Sequence, residues 1–229
     1  MLPFLDQQAL YSAYRFDVSW FDPPNQTVVK TQLGIFQCPS AQSSRIHDGS
    51  LKTVAPPPTD SFTGTAACGD FAGIAYVNVG LVRTGVIIAP GGPQDPAGNF
   101  EAVFPGNRTT SLAAILDGSS NTILMAECAG RPQLWQGNGL VQNKWVSGGP
   151  WASRNLLWTR GATADGSAFF GRCAVNCTND REVYGFHPGG ANAAFADGRV
   201  QFLKASIDIR VFAQLVTRAG QEIVSDDDY

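Results

Sequence analysis

Asp197-Gly198 separates two short runs of alternating character, Ala191-Asn192-Ala193-Ala194-Phe195 before it and Arg199-Val200-Gln201-Phe202-Leu203 after it. An Asp-Gly pair tolerates positive φ, which the tight turns of twisted antiparallel strands require. With these two residues at the tip, Phe195 faces Val200 and Ala193 faces Phe202 on an apolar side. Ala196 with Arg199 and Ala194 with Gln201 form the other side. The pattern predicts a half-buried β-hairpin. His187-Pro188-Gly189-Gly190 cannot continue a regular ladder, because proline lacks an N–H and glycine weakens a strand. His187 therefore belongs to the loop that leads into the hairpin.

Elsewhere the punctuation is dense, with 25 Gly and 14 Pro in 229 residues. Leu2, Leu5, Ala9, Ala13 and Phe16 recur at helical spacing, which predicts a helix from Pro3 to Arg15 with that stripe facing inward. A short helix is expected around Thr27 to Gln32, and a loop of polyproline character at Ala55 to Pro58. Strands are expected within Phe71 to Arg83, at Thr122 to Cys128 and at Val183 to Phe186. Ser111 to Leu116 reads as a short capped helix and Asp117 to Asn121 as a turn. The last helix opens at Ser206, with Asp208 in its first turn and Ile207, Val211, Leu215 and Ala219 inward.

Several of these segments resemble one bacterial family. Phe186 to Leu203 resembles the signature of the DUF1559, or H-X9-DG, proteins, with His187, Asp197 and Gly198 at its fixed positions. Leu2-Pro3-Phe4-Leu5-Asp6-Gln7-Gln8-Ala9-Leu10-Tyr11 is similar to the family's "LPYLEQQALY" stretch. Phe36-Gln37-Cys38-Pro39-Ser40 resembles its "F-x-CPS" segment. Asp117 to Glu127 resembles "DGTSNTILVAE", and the run from Thr217 to Ser225 resembles the family's usual end. The resemblance implies one α+β domain over 1–229 with a pilin-like head, an N-terminal helix packed on an antiparallel sheet, long loops, and a C-terminal hairpin and helix. It also implies an extracellular or cell-surface structural protein of the pseudopilin kind, a homo-oligomer or filament. Family members usually begin with a prepilin leader and a long apolar helix. This sequence starts at Met1-Leu2-Pro3, and no stretch in it approaches the roughly 18 apolar residues of a membrane span.

A net charge of −3 with 15% charged residues argues against nucleic acid, which wants a basic stripe. Zinc is not expected, because the closest cysteine pair is Cys173-x3-Cys177 and the chain holds two histidines, His47 and His187. In an exported protein Cys173 pairs with Cys177 and Cys38 with Cys68, leaving Cys128 buried at a strand end. Five reduced thiols is the competing reading. Asn25, Asn107 and Asn176 stand in sequons and are candidate glycosylation sites. No nucleophile elbow or phosphate loop is present, so a noncatalytic protein is expected. A His187–Asp197 dyad is disfavoured because Asp197 is needed in a turn, and an Asp117–Glu127 carboxylate pair because both have structural roles. Trp135, Trp145, Trp151 and Trp158 are candidates for stacking on glycans. Asp165 and Asp226 to Asp228 offer oxygen donors for calcium, a solvated acidic tail being the plainer reading of the latter.

Overall fold

A computed structural model describes residues 1–51, 53, 62–106, 108–137, 139–221 and 224. Asn107, the polyproline segment at 55–58 and the acidic run 226–228 lie outside the described residues. In chain order the helices are α1 (Gln8–Ala13), α2 (Gln26–Val29), α3 (Gly80–Arg83) and α4 (Ile209–Val216). The strands are β1 (Ile46–Asp48), β2 (Thr65–Ala67), β3 (Phe71–Val77), β4 (Phe100–Glu101), β5 (Ile123–Glu127), β6 (Gln133–Gln136), β7 (Gly139–Trp145), β8 (Leu156–Thr159), β9 (Gly190–Phe195) and β10 (Val200–Lys204).

The α+β class expected from the sequence holds. The main sheet runs β10-β9-β5-β3-β4, with β8 added in parallel to β3. Every other ladder in it is antiparallel. Two hairpin-like pairs, β1–β2 and β6–β7, stand outside it. Strand β3 is alanine-rich and alternates in burial, so one face lies on the core formed by Ile74, Val77, Ile123, Leu157, Phe195 and Leu203.

Helix α4 closes that core. Its buried residues are Ile209, Phe212, Ala213, Leu215 and Val216, a stripe with the i, i+3, i+4 spacing of a core-facing helix. Asp208, not Ser206, caps it, accepting from Arg210 N–H at 2.8 Å. Ile207 and Ala219 are buried as expected, whereas Val211 is only partly so. At the other end of the chain the expected helix is broken. Leu2–Leu5 is a 3-10 turn, Asp6 takes a left-handed conformation, and α1 is only six residues long. None of the α1 residues is buried, and Ala9, Ala13 and Phe16 face solvent. The helix packed on the sheet is thus the C-terminal one.

The hairpin exists, one residue out of the expected register. Val200 pairs with Ala194 and Phe202 with Asn192, because Phe195 bonds Arg199 and three residues, Ala196-Asp197-Gly198, make the connection. Gly198, at φ +92°, supplies the left-handed residue that such three-residue loops use. A shift of one flips each side chain of one strand to the opposite face. Leu203 is buried with Ala191, and Val200 is 68% exposed. Val183 to Phe186 forms isolated bridges from Val183 and Tyr184, with no continuous strand.

Candidate functional site

The signature histidine and its Asp-Gly do not share a site. His187 precedes β9, and Asp197 lies in the turn beyond its far end. Six strand residues at about 3.3 Å each put about 20 Å between those ends. Asp197 instead accepts from Arg199 N–H at 3.0 Å and lies 3.9 Å from the Arg199 guanidinium. The nine-residue spacing measures one strand plus its turn.

His187 meets three other polar side chains. Its Nε2 lies 3.0 Å from Glu127 Oε1 and 3.4 Å from Cys38 Sγ, and its Nδ1 lies 3.4 Å from Ser40 Oγ. The ligand atoms of Cys38, Glu127 and His187 all fall within 4.8 Å of one another. Each is delivered by a different piece of local structure. Glu127 ends β5, where Phe71 of β3 pairs with it, and its Oε2 accepts from Asn192 N–H of β9 at 2.7 Å. Cys38 follows a 3-10 turn at Gly34–Phe36, and its N–H donates to Asp70 Oδ2 at 2.9 Å. Asp70 is itself fully buried, ion-paired to Arg45, and accepts from Gly130 N–H. A Cys38-to-Ala41 turn brings Ser40 beneath the ring. His187 is fixed by the Gly189-Gly190 loop, where Ala205 N–H donates to Gly189 C=O at 2.7 Å.

Cys38 and Glu127 are buried, while the His187 side chain is 25% exposed and borders a groove of about 530 Å³. Trp135, Tyr184, Phe186 and the Cys173–Cys177 bridge line the same groove. Burial pushes the Cys38 thiol up from its ordinary value, with the Glu127 charge adding to the effect. A nucleophilic cysteine needs a lowered thiol and an imidazole oriented from its second nitrogen by the carboxylate. Here sulfur and carboxylate approach the same nitrogen. The arrangement is a convergence of ligand atoms, not a relay.

The Cys173–Cys177 disulfide forms as expected, with the Cα atoms 6.2 Å apart. The Cys38–Cys68 pair does not, and both are free and buried. Cys38 is turned to His187, whereas Cys68 lies by His47 near Gly149, its thiol pushed up to about 12 by burial. Cys128 is buried next to the end of β5 as expected, donating to Asn179 C=O. Asn25 is fully buried, its amide bonded to the backbone of Arg15 and Ser19, so this sequon is closed in the folded chain. The Asn176 amide bonds Gly190 C=O and Gly185 N–H.

The four tryptophans are spread apart. Trp135 packs edge-on against Phe186 in the His187 groove. Trp158 stacks on Tyr76 in a different cavity, also about 530 Å³. Trp151 donates to Thr31 C=O, and Trp145 ends β7 opposite Gln133. Asp165 is a turn carboxylate, held down to about 2 by hydrogen bonds from Thr163 and Ser167. Asp117 accepts from Gly220 N–H and ties down the backbone after α4.

Cys38, Glu127 and His187 are separated by 60 to 149 positions, so no spacing motif links them. The available signal is that each falls in a separate stretch carrying the family resemblance. A family model described as "Protein of unknown function (DUF1559)" matches residues 1–210. The chain belongs to the DUF1559 family. No curated protein and no solved structure matches it. Among the described residues of this DUF1559 protein, no helix is long and apolar enough to cross a membrane.

Proposed function

We propose that this DUF1559 protein is a noncatalytic structural subunit of the bacterial cell surface that associates with further copies of itself. The observation that carries the reading is the N-terminal face. Phe4 is 90% exposed and Phe16 67% exposed, and Tyr11 and Tyr14 gather around Phe16 with ring centroids 5.2 and 4.8 Å away. No residue of helix α1 is fully buried, and Tyr14 anchors the cluster on the small core of Val29, Phe62 and Ala66. An aromatic cluster of this kind marks an interaction surface, because monomeric proteins rarely leave contiguous apolar patches in water. The pseudopilin-like character implied by the sequence resemblance supports a second copy as the occupant. The intrachain disulfide fits an oxidising compartment.

Sedimentation analysis and electron microscopy of the protein from its native source, beside intact mass, test this. Oligomers or filaments are expected, and Phe16→Ser should shift them toward monomer by at least tenfold in concentration. A homogeneous monomer at high concentration would overturn the reading. Peptide mass spectrometry that finds hexose or N-acetylhexosamine increments on the peptides holding Asn107 or Asn176 would identify carbohydrate at these candidate positions.

One observation favours a second reading, a polysaccharide-binding surface. Tyr76 and Trp158 lie 5.9 Å apart at 15° between planes in a cavity that also holds Asp95, Arg108 and Arg154. Aromatic faces flanked by hydrogen-bonding groups suit sugar rings. Quenching of tryptophan fluorescence by a glycan, lost in Trp158→Ala, is the expected result. An unchanged spectrum across a broad glycan panel counts against it.

A further inference from the structure

We propose that Cys38 Sγ, Glu127 Oε1 and His187 Nε2 bind one zinc ion at the edge of the His187 groove. Among the described residues this is the one place where three such side chains converge. A tetrahedral zinc with bonds of about 2.0–2.3 Å sets its ligand atoms about 3.3–3.6 Å apart. The observed Nε2–Sγ and Nε2–Oε1 separations, 3.4 and 3.0 Å, need to change by only a few tenths of an ångström, and Sγ and Oε1, within 4.8 Å of each other, draw together on the ion. Three unlike donors, one sulfur, one nitrogen and one oxygen, suit a borderline ion, whereas calcium and magnesium want oxygen throughout.

The surroundings already hold the ligands in place. The Asn192 N–H holds Oε2 of Glu127 at 2.7 Å and its side-chain amide donates to Oε1 at 3.3 Å, which orients Oε1 and leaves its second lone pair to the ion. Asp70 holds the Cys38 backbone, and Ser40 stands at the far ring nitrogen of His187. Such partners orient a ligand set and fix the imidazole tautomer. On binding, the thiol proton leaves to solvent and the ring proton resides on Nδ1, donating to Ser40 Oγ. Thiolate and carboxylate together balance the 2+ charge, so the buried site carries no net charge. His187 alone of the three borders the groove, which gives the ion its path and a fourth position open to water or a ligand. This inference is independent of self-association.

The test uses the full chain, stripped with a chelator and titrated with zinc against a chromophoric competitor, then with cobalt. One equivalent of zinc is expected, and cobalt should produce a near-ultraviolet sulfur charge-transfer band. Cys38→Ser should abolish the band, His187→Ala should weaken zinc at least 100-fold, and Ser40→Ala about tenfold. Cys68→Ser should change nothing. No stoichiometric uptake, a band that survives Cys38→Ser, or one that disappears in Cys128→Ser instead would each overturn the proposal. Should Cys38→Ser fail to fold, the unaltered chain still decides. Zinc should slow alkylation of Cys38, mapped by mass spectrometry, at least tenfold, and equal rates with and without zinc would refute the site.

Discussion

Two adjacent glycines beside His187 have different reasons to be glycine. Gly189 sits at φ +84° with no atom within 4 Å of where a Cβ would stand, so only backbone conformation restricts it. Gly190 has ordinary φ, but a Cβ there would lie 2.0 Å from Leu203 C=O, in the first pairing of β9 with β10. Backbone of a sheet cannot give way as a flexible side chain can. Gly189→Ala should therefore cost about 1 kcal/mol, the left-handed penalty of an L-residue. Gly190→Ala should cost about 3 kcal/mol, the upper range for forced overpacking. Urea unfolding of the two variants separates these mechanisms. Equal losses would mean that the hairpin base opens easily and that the contact to Leu203 is not fixed.

At the scale of elements, the hairpin register makes a sharp distinction. Phe195 is fully buried and Val200 mostly exposed, although both are large apolar residues flanking one turn. Phe195→Ala should cost about 3–5 kcal/mol, while Val200→Ser should stay within about 0.5 kcal/mol. A comparable loss from both would restore the register in which they face each other. The existence of this hairpin, of β5 and of α4 was legible in the sequence, because Asp-Gly, a short apolar run after a turn and a 3.6-residue stripe are local signals. The register was not, since a two-residue and a three-residue loop can be built around the same Asp197-Gly198. The N-terminal stripe misled for a related reason. Periodicity marks a face able to be buried; Leu2 at its start is buried, but Asp6 then turns the chain and leaves Ala9, Ala13 and Phe16 in solvent. The candidate site was least legible of all. Cys38, Glu127 and His187 come from a turn, a strand end and a loop, and only the ordering of β9 between β5 and β10 brings the last two together.

Across the whole molecule, buried ionisable groups set opposing demands on pH. Glu182 is fully enclosed beside Arg160, and burial outweighs that partner, raising its carboxyl from 4.5 to about 7. The folded chain therefore holds the proton more tightly than the unfolded one. The associated stability is complete below 4.5 and lost as pH rises through 7. His47 is the reverse case. Burial, aided by the nearby Arg131 charge, lowers it from 6.5 to about 4, so its contribution is complete above 6.5 and lost as pH falls through 4. Differences of this size are each worth about 3 kcal/mol. The two slopes overlap between 4.5 and 6.5 with opposite sign, and the unaltered protein should change little there. Removing one group should expose the other. His47→Gln should leave a protein whose unfolding midpoint in urea falls from pH 5 to pH 7. Glu182→Gln should leave one whose midpoint rises over the same interval. Parallel profiles for both variants would show that the apparent balance arises elsewhere, with Asp70 and Asp180, both raised by burial, the next carboxyls to replace.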